Sequence, residues 1–132
     1  MKAVHASGKR KRAVARATIT PGKGIVRINS LSLEHYQPEL TRIKIQEPLI
    51  LANDLAKKIN INIAVRGGGS QAQAEASRLA IARGLVEYSK SKELKQTFLD
   101  YDRNLLVADT RNKEACKPND SKARAKRQKS YR

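Results

Sequence analysis

The chain has 132 residues, 39% of them apolar, and 28 Lys or Arg against 12 Asp or Glu give it a net charge of +16. This fits one domain of about a hundred residues on a single hydrophobic centre plus a basic tail, and no stretch approaches the ~20 apolar residues of a membrane span. The N-terminus mixes charges with small residues and lacks a long apolar run, so no secretory signal is read and an intracellular, cytoplasmic location is expected; Cys116, without a second cysteine, can form neither an internal disulfide nor a Cys-based zinc site.

Val4 to Ser7 reads as a first strand or extension. Residues Ala13 to Thr20 then alternate, with Ala13, Ala15, Ala17 and Ile19 on one face and Val14, Arg16, Thr18 and Thr20 on the other. Pro21-Gly22-Lys23-Gly24 breaks the run and Ile25 to Ile28 resumes it, which predicts a hairpin. A short helix is expected around Leu33 to Tyr36, and a second from Pro48, suited to a first helical turn, to about Lys58. Ile59, Ile61, Ile63 and Val65 share one face of a further strand, favoured by β-branching.

Gly67-Gly68-Gly69-Ser70 leads into the strongest helical pattern, Gln71 to about Tyr88. Ala72, Ala76, Leu79 and Val86 gather on one side and Ala74, Ile81, Leu85 and Tyr88 on the other, so this helix should be sandwiched. One side can take the sheet and the other a neighbouring helix, either Glu93 to Leu99 or Pro48 to Lys58. Asn104 to Ala108 is expected to form a last strand. The order of elements implies an α+β fold of one sheet covered by helices over residues 1–108, followed by an extended basic RNA-binding tail at 109–132.

The charge is concentrated at the ends. Residues 1–27 carry eight Lys or Arg and no acid, residues 28–108 eleven against nine acids, and residues 109–132 nine against three. A surface that served only solubility would scatter its cations, whereas two cationic segments flanking a nearly neutral middle suit a phosphate backbone. The last twelve residues hold six Lys or Arg, no acid and no aliphatic side chain larger than alanine, so they cannot bury apolar surface and need a polyanion.

Enzymatic readings find little support. The glycine triplet lacks the Gly-Lys-Ser/Thr ending of a P-loop and the spacing of a dinucleotide site. Two readings of it stay open: a close approach of Gly67, Gly68 and Gly69 to RNA backbone, or a purely structural turn. His5 and His35 lie in different elements without metal-ligand spacing to Cys, Asp or Glu, and Asp100 and Asp102 read as solvated or capping groups that pair with a local Arg such as Arg103. No catalytic residue, metal or cofactor is expected. Zinc-finger spacing and a zipper heptad are both absent, and the dispersed Tyr36, Tyr88, Phe98, Tyr101 and Tyr131 do not form a stacking platform. Recognition of a folded RNA by shape remains.

Several segments in order, Gly8-Lys9-Arg10-Lys11-Arg12-Ala13-Val14-Ala15-Arg16-Ala17, Pro21-Gly22-Lys23-Gly24 with Ile28-Asn29, Tyr36, Glu47-Pro48-Leu49, Val65-Arg66-Gly67-Gly68-Gly69 with Leu79-Ala80-Ile81-Ala82-Arg83-Gly84-Leu85, Asp109-Thr110-Arg111, and Lys122-Ala123-Arg124 to Ser130-Tyr131-Arg132, resemble the universal small-subunit ribosomal proteins of the S-nine type. The Ser-Tyr-Arg ending and the lack of an N-terminal extension lean toward the archaeal branch. The resemblance implies an α+β fold with a left-handed β-α-β crossover, like the second domain of the S-five type protein. It implies a place in the head of the small subunit among neighbouring head ribosomal proteins, with no homo-oligomer. Small-subunit ribosomal RNA would be bound by Lys9, Arg10, Lys11, Arg12, Arg16, Arg66, Arg111, Lys117, Lys122, Arg124, Lys126 and Arg127. Lys129, Ser130, Tyr131 and Arg132 would approach peptidyl-site transfer RNA. The alternative is a free basic nucleic-acid chaperone or architectural DNA-binding protein. The chain departs from the family where Ala115 and Cys116 replace basic residues and Asn119 replaces a frequent glycine, and where Gln71-Ala72-Gln73-Ala74 follows the glycines.

Overall fold

The computed structural model describes residues 3–117 and residue 131. Strands β1 (Val4–Arg10) and β2 (Ala13–Pro21) form an antiparallel hairpin closed by Lys11 and Arg12, with Lys11 at φ 53°. The inward residues of β2 are those that the alternation selects: Ala13, Ala15, Ala17 and Ile19 are all buried.

The hairpin expected across Pro21 to Gly24 does not form. Strand β3 (Val26–Ile28) runs opposite to β2, but β5 (Ile59–Arg66) lies between them, antiparallel to β2 and parallel to β3. With β4 (Leu31–Ser32) the sheet order is β1-β2-β5-β3-β4. Period-two alternation assigns faces and not neighbours, and the loop is long enough to step over one strand. It is fastened to β5 as it crosses: Asn60 Oδ1 accepts from the amides of Lys23 (2.9 Å) and Ile25 (3.1 Å), and the Gly22 and Gly24 amides donate to the carbonyls of Lys58 and Ile59. The hairpin that does follow is β3–β4. Its two-residue turn, Asn29 (φ 47°) and Ser30 (φ 72°), has both residues in the left-handed region that such turns require.

Asn29 also extends the ladder past the end of β3. Its Nδ2 donates to the Val65 carbonyl (3.0 Å) and its Oδ1 accepts from the Val65 amide (2.9 Å), as a peptide group would. Asn29→Ala strips both partners from the Val65 backbone and should destabilise the fold by about 2 kcal/mol, read as a lowered denaturation midpoint.

A 3-10 turn at Leu33–His35 matches the short helix expected there. The next helix differs: α1 spans Glu39–Ala52, with Pro48 buried inside it, instead of starting at Pro48 and running to Lys58. A 3-10 turn occupies Ala56–Lys58. The early start is hidden in the sequence because α1 exposes Leu40, Ile43 and Ile50, which blurs its apolar period.

Helix α2 (Ser70–Ser89) lies on the inner face of β1, β2 and β5 and packs on its far side against α1 and α3 (Lys92–Tyr101), the sandwiched position that its two apolar sides imply. Ser91 caps α3 by accepting from the Leu94 amide at 3.3 Å. The strand expected at Asn104–Ala108 is absent. A 3-10 turn at Arg103–Leu105 stands there, started by Asp102, whose Oδ1 accepts from the Asn104 amide at 2.9 Å. Leu105 enters the core from this turn, so the apolar residues serve as a plug and not as a sheet edge. The molecule is therefore α+β, a single mixed five-stranded sheet with three α-helices among the described residues.

Candidate nucleic-acid interface

Two turns and the root of the tail meet at one end of the sheet. The β1–β2 turn offers Lys11 and Arg12, both exposed, and the Gly67–Gly69 turn sits beside it. Gly67 (φ 76°) and Gly68 (φ 68°) need glycine for their backbone conformation. They need it for space as well: a Cβ on Gly67 would stand 2.5 Å from the Arg12 carbonyl oxygen, and one on Gly68 would stand 3.1 Å from the Ala13 amide nitrogen. Gly69 differs, because among the described residues nothing lies within 4 Å of the corresponding position. The first two glycines thus let one protein turn touch another, while Gly69 faces open space. A cleft of about 600 Å³ runs along this end, bordered by Lys11, Arg12, Gly68, Gly69 and residues 112–116, where Ala115 and Cys116 are exposed.

Apart from Lys11 and Arg12 at the turn, five of the described cations singled out in the sequence fall into two sets. Arg10 and Arg111 are engaged in fastening the tail root. The Arg10 side chain, 14% exposed, donates from Nε to Glu75 Oε2 (2.7 Å) and from Nη1 to the Arg111 carbonyl (2.8 Å), and Nη2 stands 3.4 Å from Asp109 Oδ2. Arg111 forks onto the same Asp109, with Nη2 to Oδ2 at 2.7 Å and Nε to both oxygens at 3.1 Å. The side chain and amide of Arg111, with Arg10 adding its charge, hold the Asp109 carboxyl well below its ordinary value of 3.8. The anchor therefore stays ionised to lower pH than an ordinary aspartate would. Arg83, not among the candidates, does similar work next door by donating to the carbonyls of Leu106 and Ser7, both at 3.0 Å.

Lys9, Arg16 and Arg66 form the second set, on the face of the sheet opposite the helices, all exposed. Arg27 joins them. Sequence reading passed over it because three strand residues give too short an alternation to weigh, although Val26 and Ile28 on either side are both buried.

Of the remaining candidates, Lys117 is exposed, and Tyr131 is 88% exposed. Lys122, Arg124, Lys126, Arg127, Lys129, Ser130 and Arg132, and the Asn119 departure, lie outside the described residues. His5 bonds to Thr18 (Nδ1 to Oγ1, 3.1 Å) and His35 is exposed at the end of its turn. Among the described residues no His, Cys, Asp and Glu gather into a metal-binding group. Asp102 pairs with Arg78 at 2.8 Å and not with the adjacent Arg103, and Asp100 accepts from Gln96 at 2.7 Å.

The family model described as "Ribosomal protein S9/S16" matches residues 8–132. Two relatives, both called "Small ribosomal subunit protein uS9", cover all of this chain and all of their own length: one from Methanothrix thermoacetophila is 48% identical over 132 residues, and one from Methanococcus vannielii is 46% identical over 134. With the match running from Gly8 in β1 through the tail, the chain belongs to the ribosomal protein S9/S16 family.

Proposed function

We propose that this chain is a structural, non-catalytic constituent of the small ribosomal subunit, seated in its head, cytoplasmic, and working without a cofactor. The observation that carries the reading is full-length coverage by relatives named as small-subunit proteins, because the basic tail aligns together with the folded part. Residues 1–108 act as the globular body and 109–132 as the RNA-binding extension, with the β3–α1–β5 crossover left-handed as in the family. Ribosomal RNA is held by exposed cations of the turn, the sheet and the tail, and neighbouring head proteins complete the surroundings. Among the described residues no helix is long and apolar enough to cross a membrane.

The last four residues, Lys129 to Arg132, reach peptidyl-site transfer RNA. Their chemistry is suited to phosphate: the Arg132 guanidinium can bridge two phosphate oxygens, and Lys129 adds a point charge. Phosphates are common to every transfer RNA, so the tail holds without selecting. Deleting Lys129 to Arg132 should speed transfer RNA loss from the peptidyl site on the order of tenfold, the value of one charge-assisted contact at roughly 1.5 kcal/mol, and leave codon choice unchanged. Off-rates measured by filter retention on programmed small subunits test this. An unchanged off-rate removes the tail from the account, and altered codon choice shows that it does more than clamp.

A further inference from the structure

The charge is segregated across the sheet as well as along the chain. None of the five strands contains an Asp or Glu, and the acids among the described residues all lie in helices and connections. The ion pairs among the described residues follow the same division. They employ Arg10, Arg42, Lys44, Lys57, Arg78 and Arg111, whereas Lys9, Arg16, Arg27 and Arg66 take part in none. These four project from the face that none of the described helices covers. Helix α2 occupies the other side, where Ala13, Ala15 and Ala17 are buried, while Arg16, Asn62 and Ala64 stand exposed on this one.

The pairing register fixes how the cations are arranged. Val14 stands opposite Arg66 and Arg16 opposite Ala64, so Arg16 and Arg66 are diagonal neighbours on adjacent strands, roughly 7–8 Å apart at the backbone. Arg27 stands opposite Asn62, which in turn faces Thr18 on β2, so Arg27 lies two strands from β2, roughly 10 Å across the sheet. A shallow concavity of about 780 Å³ lies on this face, lined by Arg16, Thr18, Arg27 and Asn62 among others. None of the strands contains Phe, Tyr or Trp, and the His5 imidazole that shares this face opposite Thr18 is tied to the Thr18 hydroxyl at 3.1 Å, so the strands offer no row of rings on which successive unpaired bases could stack.

Resting on the ribosomal reading above, we infer that this uncovered sheet face is a docking surface for double-stranded RNA, with Arg16, Arg27 and Arg66 contacting phosphates and Thr18 and Asn62 within reach of ribose hydroxyls. Charge complementarity identifies the occupant. A cationic face with no acid on its strands suits a polyanion, and a broad face with amides and hydroxyls but no Phe, Tyr or Trp suits the wide, shallow minor groove of an A-form helix.

The test uses the full-length chain and a small-subunit RNA transcript, with affinity measured as a function of salt. Neutralising all three arginines (Arg16→Gln, Arg27→Gln, Arg66→Gln) should reduce the log–log salt slope by roughly 2 to 3, at about 0.7–0.9 per phosphate contact. Arg27→Gln alone, at an exposed position without an ion pair, should reduce it by roughly 0.8 and serves if the triple variant does not fold. Three exposed lysines on the helical side, replaced as Lys57→Gln, Lys92→Gln and Lys95→Gln, should leave the slope unchanged. Duplex RNA should compete for the face better than single-stranded RNA of equal length. If the wild-type chain binds with a steep slope and the arginine variants keep it, the face is not an RNA site although the ribosomal reading stands. Equal competition by single strands overturns the duplex assignment, and failure of the wild-type chain to bind the transcript overturns the ribosomal reading itself.

Discussion

Gly8→Ala should destabilise the protein by roughly 3 kcal/mol, among the largest effects available from adding one carbon. Gly8 is buried on the inner face of β1 directly beneath α2. A Cβ there would overlap the Ala76 carbonyl oxygen and stand 2.8 Å from the Ala80 amide nitrogen, both backbone atoms of the helix. No side chain can rotate out of the way, so α2 has to lift from the sheet, loosening an interface built from Ala13, Ala15, Ala17, Ala76 and Ala80. Urea unfolding should show the midpoint lowered by about 1.5 M. A midpoint within about 0.3 M of wild type would mean that the helix does not rest on this glycine.

The informative comparison is Gly69→Ser. Gly69 has extended backbone at the start of α2 and open space around it, and serine is a good residue for that capping position. Stability should be retained, so RNA affinity measured on the same variant separates the two readings of the triplet. Lost affinity in a stable variant supports close RNA approach at Gly69, and unchanged affinity leaves the triplet a packing device.

Arg78→Met should also destabilise by roughly 3 kcal/mol. The Arg78 side chain, 14% exposed, reaches Glu47 on α1 with Nη2 and Asp102, just after α3, with Nη1. One guanidinium thereby ties three segments together, and its loss leaves two partly buried carboxylates without their cation. Burial pushes the Asp102 carboxyl up, but the Asn104 amide and the Arg78 guanidinium outweigh it and bring the net value below 3.8. A depressed carboxyl contributes stability above its unfolded value and loses it as pH falls through the folded one. The gap between variant and wild type should therefore be full at neutral pH and narrow once pH drops below about 3.8, which paired denaturation curves would reveal. A gap independent of pH would assign the loss to packing alone.

The elements legible in the sequence were those whose patterns are long and one-sided. In β2 and β5 the apolar alternation matches the buried face residue by residue, and α2 is apolar on two sides because it is covered on two sides. What remained hidden depends on neighbours. Nothing in Pro21 to Gly24 announces that another strand, arriving thirty residues later, will separate β2 from β3. The start of α1 was obscured by its exposed Leu40, Ile43 and Ile50, and Leu105 and Leu106 look alike whether they join a sheet or plug a core.

The candidate interface was legible as a quantity of charge more than as a surface. Counting along the chain placed the cations at the ends, and the fold then diverted Arg10 and Arg111 into carboxylate pairs that fasten the tail root. Arg16, Arg27 and Arg66 come from three separate strands and become one surface only when β5 inserts between β2 and β3. Arg27 was counted among the N-terminal cations but not singled out, because its three-residue strand gives too short an alternation to assign it a face.

The central claim, residence in the small subunit, is tested most directly by sedimenting a cell lysate through a sucrose gradient at moderate and then high salt and quantifying this protein against small-subunit RNA. The account predicts about one copy per small subunit, retained through the high-salt wash because the folded face and the tail are linked and must release together even as salt weakens each phosphate contact. Migration at the top of the gradient, or loss at modest salt, would contradict it and leave a mobile nucleic-acid binder that shares the family's fold.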